Sequence, residues 1–317
     1  MPATPQASRI ASWLLQRCLG PASGRRRLAR QLRKYLLRSW APAFQAEYFG
    51  ARLLFPGQHD LAILSNDLPL FNTPLRRLAQ AVRNHETTLR LLDIGANIGD
   101  GLPLVDPQPT DQFWLVEGSS EFLPYLRANS ATSPNVTIIP SYLGDQHSVA
   151  QGAEVVIAGN AHILAGAAGE LVFETLDRLF PGSSPTLPNL LKIDVEGHEA
   201  RIFAGGADLL RRVQPPVFME WYPSLLLREG ENELASLDRL LAAGYTDAVI
   251  YDNLGFLVGT FALAERAHLQ QFAHYAQMRD LFYFDLAVFA PKHSRLREDF
   301  CASETAFYAD WLRGRSG

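Results

Sequence analysis

The residues best suited to chemistry stand where short apolar runs end. Leu89 to Ile94 is one such run; it carries the carboxylate of Asp93 at its close and is followed by Gly95 and Gly99. Glycines there let a ligand approach the backbone without meeting a Cβ. A second carboxylate, Glu117, closes the next run, 22 residues after Gly95. From that position an acid hydrogen-bonds ribose hydroxyls in dinucleotide folds. The pair predicts a pocket for a ribose-containing cofactor.

The sign of Asp93 selects among such cofactors. A pyrophosphate laid over this turn needs surroundings receptive to anions. A carboxylate within about 4 Å would repel two phosphate charges by several kcal/mol at an effective dielectric near 20. The same carboxylate attracts the ammonium and sulfonium groups of S-adenosylmethionine (SAM). The glycine spacing also departs from G-x-G-x-x-G, since three residues separate Gly95 from Gly99. A SAM site is therefore expected, ahead of a dinucleotide site or a turn with no ligand.

A third cluster, Asp194, Glu196 and His198, closes the run Leu190 to Val195. Strand alternation puts Lys192 and Asp194 on one side, Ile193 and Val195 on the other. Methyl transfer to an alcohol needs alignment and removal of one proton. An imidazole with an ordinary pKa near 6.5 is a natural base for that step, and coupling to Glu196 or Glu199 holds its tautomer. His198 is the candidate base, with Asp194 and Glu196 beside it; the competing role is a histidine that starts the helix from Glu199. Asp194, Glu196 and Glu220 are also of the type that holds Mg²⁺, although no metal is assigned to them. Glu220-Trp221-Tyr222 ends a further run, and its rings suit stacking on a sugar or packing in the core.

The elements that must carry these residues alternate. Leu89–Ile94, Gln112–Val116, Asn135–Ile139, Leu190–Val195 and Val217–Trp221 read as strands, with helices at Ser120–Ser130, Glu199–Val213 and Glu231–Ala243. Short apolar strands separated by helices indicate a parallel sheet covered on both faces. Ala248–Tyr251 and Phe282–Phe289 read as the last strands, and Arg295–Leu312 as a C-terminal helix. Residues 150–175 break the pattern and suggest an antiparallel flap around a Gly159-Asn160 turn. Pro103, Pro107 and Pro109 leave room only for a short or broken helix after the glycine turn.

Charge is distributed unevenly along the 317 residues. Residues 1–46 carry nine basic and no acidic side chains; the remainder carries 20 basic and 33 acidic ones. Leu28, Leu32, Tyr35, Leu36 and Trp40 fall on one helical face among these arginines. Three fates fit such a helix: packing on its own acidic domain, docking of residues 25–40 on an anionic membrane surface or acidic partner, or an organelle transit peptide. Only two cysteines occur, Cys18 and Cys301, with no metal or disulfide spacing, so a reducing cytoplasm is the default. No apolar run reaches the roughly 18 residues of a membrane span. The absence of a G-x-S-x-G elbow or a P-loop argues against a hydrolase or a kinase. An acidic domain with no RNA-module motif argues against nucleic acid as partner.

Asp93 to Gly99, Leu115 to Glu117, Thr175 to Asp177 and above all Leu191 to Glu199 resemble the FkbM-type SAM-dependent methyltransferases over roughly residues 89–221. The resemblance implies an α/β class I methyltransferase: a Rossmann-like, mostly parallel seven-stranded sheet with helices on both faces. It places Asp93, Gly95, Asn97 and Gly99 around the methionine part of SAM and Glu117 on the ribose. Asp145 is a candidate partner of the adenine amino group, or else a turn acid. It further implies O-methylation of a small-molecule or glycan acceptor. The expected parse is a basic helical extension over 1–84, a methyltransferase domain over 85–291 and a C-terminal helix over 292–317. The competing class is a non-catalytic methyltransferase fold that docks a partner through its basic helix.

Overall fold

The computed structural model describes residues 5–36, 41–157, 160–182, 184, 186–279 and 282–315. Two helices, Pro5–Cys18 and Gly24–Leu36, come first, followed by a hairpin of β1 (Phe44–Tyr48) and β2 (Ala51–Phe55). In β1, Phe44, Ala46 and Tyr48 are buried while Gln45 and Glu47 are exposed, the period of two that a half-buried strand requires. The extension is thus helical only in part. Helix Thr73–Glu86 also runs across the expected boundary at residues 84 and 85. Trp40 and Gly159 lie outside the described residues.

Next come β3 (Arg90–Ile94), β4 (Gln112–Val116) and β5 (Val136–Ile139), paired in parallel. The expected flap is a side sheet of β6 (Tyr142–Leu143), β7 (Ser148–Ile157) and β8 (Asn160–Glu174), with β7 and β8 antiparallel. The main sheet resumes with β9 (Leu190–Ile193), β10 (Val217–Trp221), β11 (Asp247–Asp252), β12 (Leu257–Ala262) and β13 (Phe284–Phe289). Its order is β12-β11-β13-β10-β9-β3-β4-β5. Strands β5, β4, β3, β9 and β10 are parallel, and β13 is antiparallel to both β10 and β11. This is the expected seven-stranded class I methyltransferase sheet, extended by β12 as an antiparallel edge. Chain order reverses between β3 and β9, so the two loops beyond them open a crevice, the usual ligand position in open α/β sheets.

Both sheet faces are covered, which explains why the strands read as continuous apolar runs. Leu92 and Ile94 enter the core on one face with Val116, Ile193 and Met219. Leu91 enters the other with Phe113, Leu115 and Leu190. The N-terminal hairpin forms a third core in which Phe44, Phe55 and Leu15 pack with Ile98 of the glycine turn and with Phe122. Asn129 locks this arrangement, accepting from Leu54 N at 2.7 Å and donating to Leu54 O and Ile98 O at 2.9 and 2.8 Å. The helix after the glycine turn is only Gly101–Val105, consistent with its prolines.

Candidate active site

Two loop anchors set the crevice. Gly95 N and Ala96 N both donate to Val116 O at 3.0 Å, while Asp194 N donates to Ile94 O at 3.1 Å. Gly95 has φ +77°, and a Cβ there would stand 1.9 Å from Asp194 O. Gly99, φ +85°, has Leu126 Cδ1 2.9 Å from where its Cβ would lie. The protein's own packing therefore already demands glycine at both positions.

The crevice is a cavity of about 530 Å³, within the range of small-molecule sites. At one end are Gly95, Asn97, Asp100, Glu117, Gly118, Phe122, Tyr142 and Leu143; at the other are Asp194, Glu196, His198, Glu220, Tyr222, Tyr283 and Asp285. Glu117 Oε2 accepts from Asn97 N at 2.8 Å and Oε1 from Ser119 N at 2.7 Å. The carboxylate is therefore fixed in orientation at the cavity wall.

Asp93 is the largest departure from the sequence reading. It is 1% exposed and does not line the cavity. It pairs in register with Lys192, whose Nζ lies 3.0 Å from Asp93 Oδ1 and 3.8 Å from Asp194 Oδ2; the same Nζ donates to Gly95 O at 3.1 Å. Burial pushes the Asp93 carboxyl up to about 6, against the pull of Lys192. For Lys192, burial works to lower the pKa, but Asp93, Asp194 and Asp100 raise it above the ordinary lysine value. Asp93 is thus a neutralised strut beneath the floor. The carboxylates that face the cavity at this end are Asp100 and Glu117. Gly99 also lies off the cavity wall, and Asp145 is exposed outside it.

The loop after β9 is held by Glu199, whose Oε1 accepts from Gly197 N at 3.2 Å and Val195 N at 3.4 Å. Burial pushes this carboxyl up to about 7 despite those donors. Glu196 takes a left-handed φ of +55°, a conformation that costs of order 1 kcal/mol and is common where function imposes it. His198 occupies the N-cap position of helix Glu199–Gly205 without a side-chain capping bond, and its Nε2 is 3.8 Å from Glu229 Oε2. Asp194, Glu196 and His198 are brought together as expected, all lining the cavity.

Asp194, Glu196 and Glu220 each present an oxygen within 4.8 Å of the others, close enough to share a divalent cation. Burial, then Asp194, Glu196 and Asp285, raise the Glu220 carboxyl well above its ordinary range. Burial and Asp194 do the same for Asp285. Tyr222 and Tyr283 face each other across the rim, ring centroids 5.8 Å apart. Sequence reasoning missed Asp100, Tyr142, Tyr283, Asp285 and His59 as lining residues. Burial lowers the His59 imidazole to about 4. Asp100 ended the very segment singled out in the sequence; the others carry no local signal.

Among solved structures, the chain is similar to methyltransferase FkbM from Methylobacillus flagellatus KT, with 14% identity and TM-score 0.35 over 75% of this chain and 72% of that one. It is also similar to precorrin-6y C5,15-methyltransferase from Geobacter metallireducens GS-15, with 12% identity and TM-score 0.34 over 64% and 80% of the two chains. A fibrillarin from Aeropyrum pernix, solved with natively bound SAM, shows 11% identity and TM-score 0.32 over 66% and 75%. No curated protein sequence matches this chain. Residues 93–246 match the family model of the methyltransferase FkbM domain, the family that the sequence motifs resemble.

Proposed function

We propose that the protein uses SAM to methylate a hydroxyl of a glycan, glycolipid or secondary metabolite. The sign of the cavity carries the cofactor assignment. Its described lining holds seven acids: Asp60 is paired with Arg33, Glu220 and Asp285 are pushed toward the protonated form, and Asp100, Glu117, Asp194 and Glu196 remain to set its sign against one ammonium, Lys192, itself engaged with Asp93. Such walls repel a pyrophosphate and attract a sulfonium. The electrostatic argument first attached to Asp93 thereby passes to Asp100 and Asp194.

The donor set fits the cofactor. Glu117, fixed at the cavity wall, would accept from the ribose hydroxyls, while Gly118, Phe122, Tyr142 and Leu143 offer a largely apolar bay for the base. Asp100 and Asp194 face the cationic end. When bound, SAM supplies a methyl group on a positively charged sulfur. His198 would accept the proton that the acceptor's hydroxyl loses on methylation. Asp194 and Glu196 stabilise the imidazolium that results. Tyr222 and Tyr283 supply aromatic faces for an acceptor ring.

Incubation with cell extract and SAM labelled in its methyl group tests this. The expected outcome is label in an alkali-stable ether, absent with Glu117→Ala. Label on an amine rejects the hydroxyl acceptor, and no label in any fraction rejects the transferase reading.

A further inference from the structure

Helix Gly24–Leu36 is packed with its basic face inward. Arg26 and Arg30 both pair with Asp67, and their Nε atoms donate to Cys18 O at 3.0 and 3.1 Å. Arg33 is 7% exposed, pairs with Asp60, and donates to Gly57 O and His59 O at 3.2 and 3.1 Å. The apolar side chains face the other way: Leu28, Leu32 and Tyr35 are 67%, 47% and 69% exposed. The helix thus packs on acids of its own chain through its arginines and leaves its apolar side chains outward.

The preceding helix, Pro5–Cys18, does likewise. It buries Leu14, Leu15 and Cys18 and leaves Ile10 and Trp13 53% and 56% exposed, with the Arg17 guanidinium 4.2 Å from the Trp13 ring centroid. A single exposed apolar residue needs no explanation, but five on two consecutive, mutually packed helices do. Around them, Arg9, Arg25, Arg27 and Lys34 are exposed and form no ion pair among the described residues. Aliphatic side chains with a Trp and a Tyr, set among free arginines and a lysine, match the boundary between acyl chains and anionic headgroups.

We infer that these two helices form a docking surface for a bilayer containing anionic lipids. The arginines turned inward tie the surface to the cavity, because Asp60, the partner of Arg33, lies on the cavity wall. No helix among the described residues is long and apolar enough to cross a membrane, so attachment is peripheral. The inference stands apart from the methyl-transfer reading.

The test is co-sedimentation of the full chain with vesicles of phosphatidylcholine alone and of phosphatidylcholine mixed with phosphatidylglycerol, at physiological salt. Binding to the anionic vesicles is expected, with little to the neutral ones. The triple variants Arg25→Glu/Arg27→Glu/Lys34→Glu and Trp13→Ser/Leu32→Ser/Tyr35→Ser should each lose about tenfold or more in affinity. All six positions are exposed, and unchanged thermal unfolding serves as the folding control. Wild-type protein that stays in the supernatant overturns the inference. So does equal binding to both vesicle types, or a dimer abolished by the apolar triple without vesicle binding, which would assign the surface to a second copy of the chain. Binding of polyglutamate or nucleic acid but not vesicles would likewise overturn it.

Discussion

Glu220 on β10 stands directly opposite Asp285 on β13, in register across an antiparallel pair. Like charges in that relation oppose folding. Asp285 is 7% exposed and has no hydrogen bond or ion pair among the described residues, and Glu220 Oε2 is buried with no hydrogen-bond partner. Burial and the neighbouring acids raise both carboxyls well above their ordinary range, so holding them ionised in the fold is costly.

Replacing one of the two acids should therefore stabilise the protein. Glu220→Gln is expected to raise unfolding free energy by on the order of 1 kcal/mol at neutral pH, measured by urea denaturation, while methyl transfer falls. A lower stability would show that the two acids do not repel as their placement implies.

Glu199 supplies a pH dependence of definite sign. Its folded pKa is raised from 4.5 to about 7, so between those values the unfolded chain has already lost a proton that the folded chain retains. Stability from this group is complete below pH 4.5 and is lost as pH rises through 7. Glu199→Gln lacks this slope. Relative to wild type it should gain about 3 kcal/mol between the two ends of the window. Parallel stability profiles would contradict the assignment.

The crossing of the two loops can be tested at one atom. Gly95→Ala puts a Cβ 1.9 Å from Asp194 O at φ +77° and should cost about 3 kcal/mol or more. Gly50→Ala, at φ +83° with nothing within 4 Å, should cost about 1 kcal/mol. Equal losses would mean that the loops yield freely.

His198 is separable from a histidine that merely starts a helix. His198→Ala should lower kcat about a hundredfold or more while leaving the affinity for S-adenosylhomocysteine and the thermal transition unchanged. An unchanged kcat would remove the histidine from the reaction.

Gln112–Val116 and Val217–Trp221 were legible to the residue because an apolar run bounded by turn formers has few alternatives. The split of Glu199–Val213 at Gly206 was not: glycine is required there by a distant element, since a Cβ would meet Leu176 Cδ1 at 2.7 Å. The β1 hairpin was hidden by the arginine-rich helix before it, although Phe44, Ala46 and Tyr48 already alternate. At the site, the strand-end positions were legible, but the direction of Asp93 was not. Lys192, from the neighbouring strand and far away in sequence, reaches across to neutralise it. Asp145 was placed by position after a strand, and the backbone there carries it to the outer surface.

Calorimetric titration with S-adenosylhomocysteine addresses the negative cavity most directly. The account predicts one site with dissociation constant well below millimolar, strongly weakened by Glu117→Ala and by Asp100→Asn. No heat at millimolar ligand, or tighter binding of a nicotinamide dinucleotide, would contradict it.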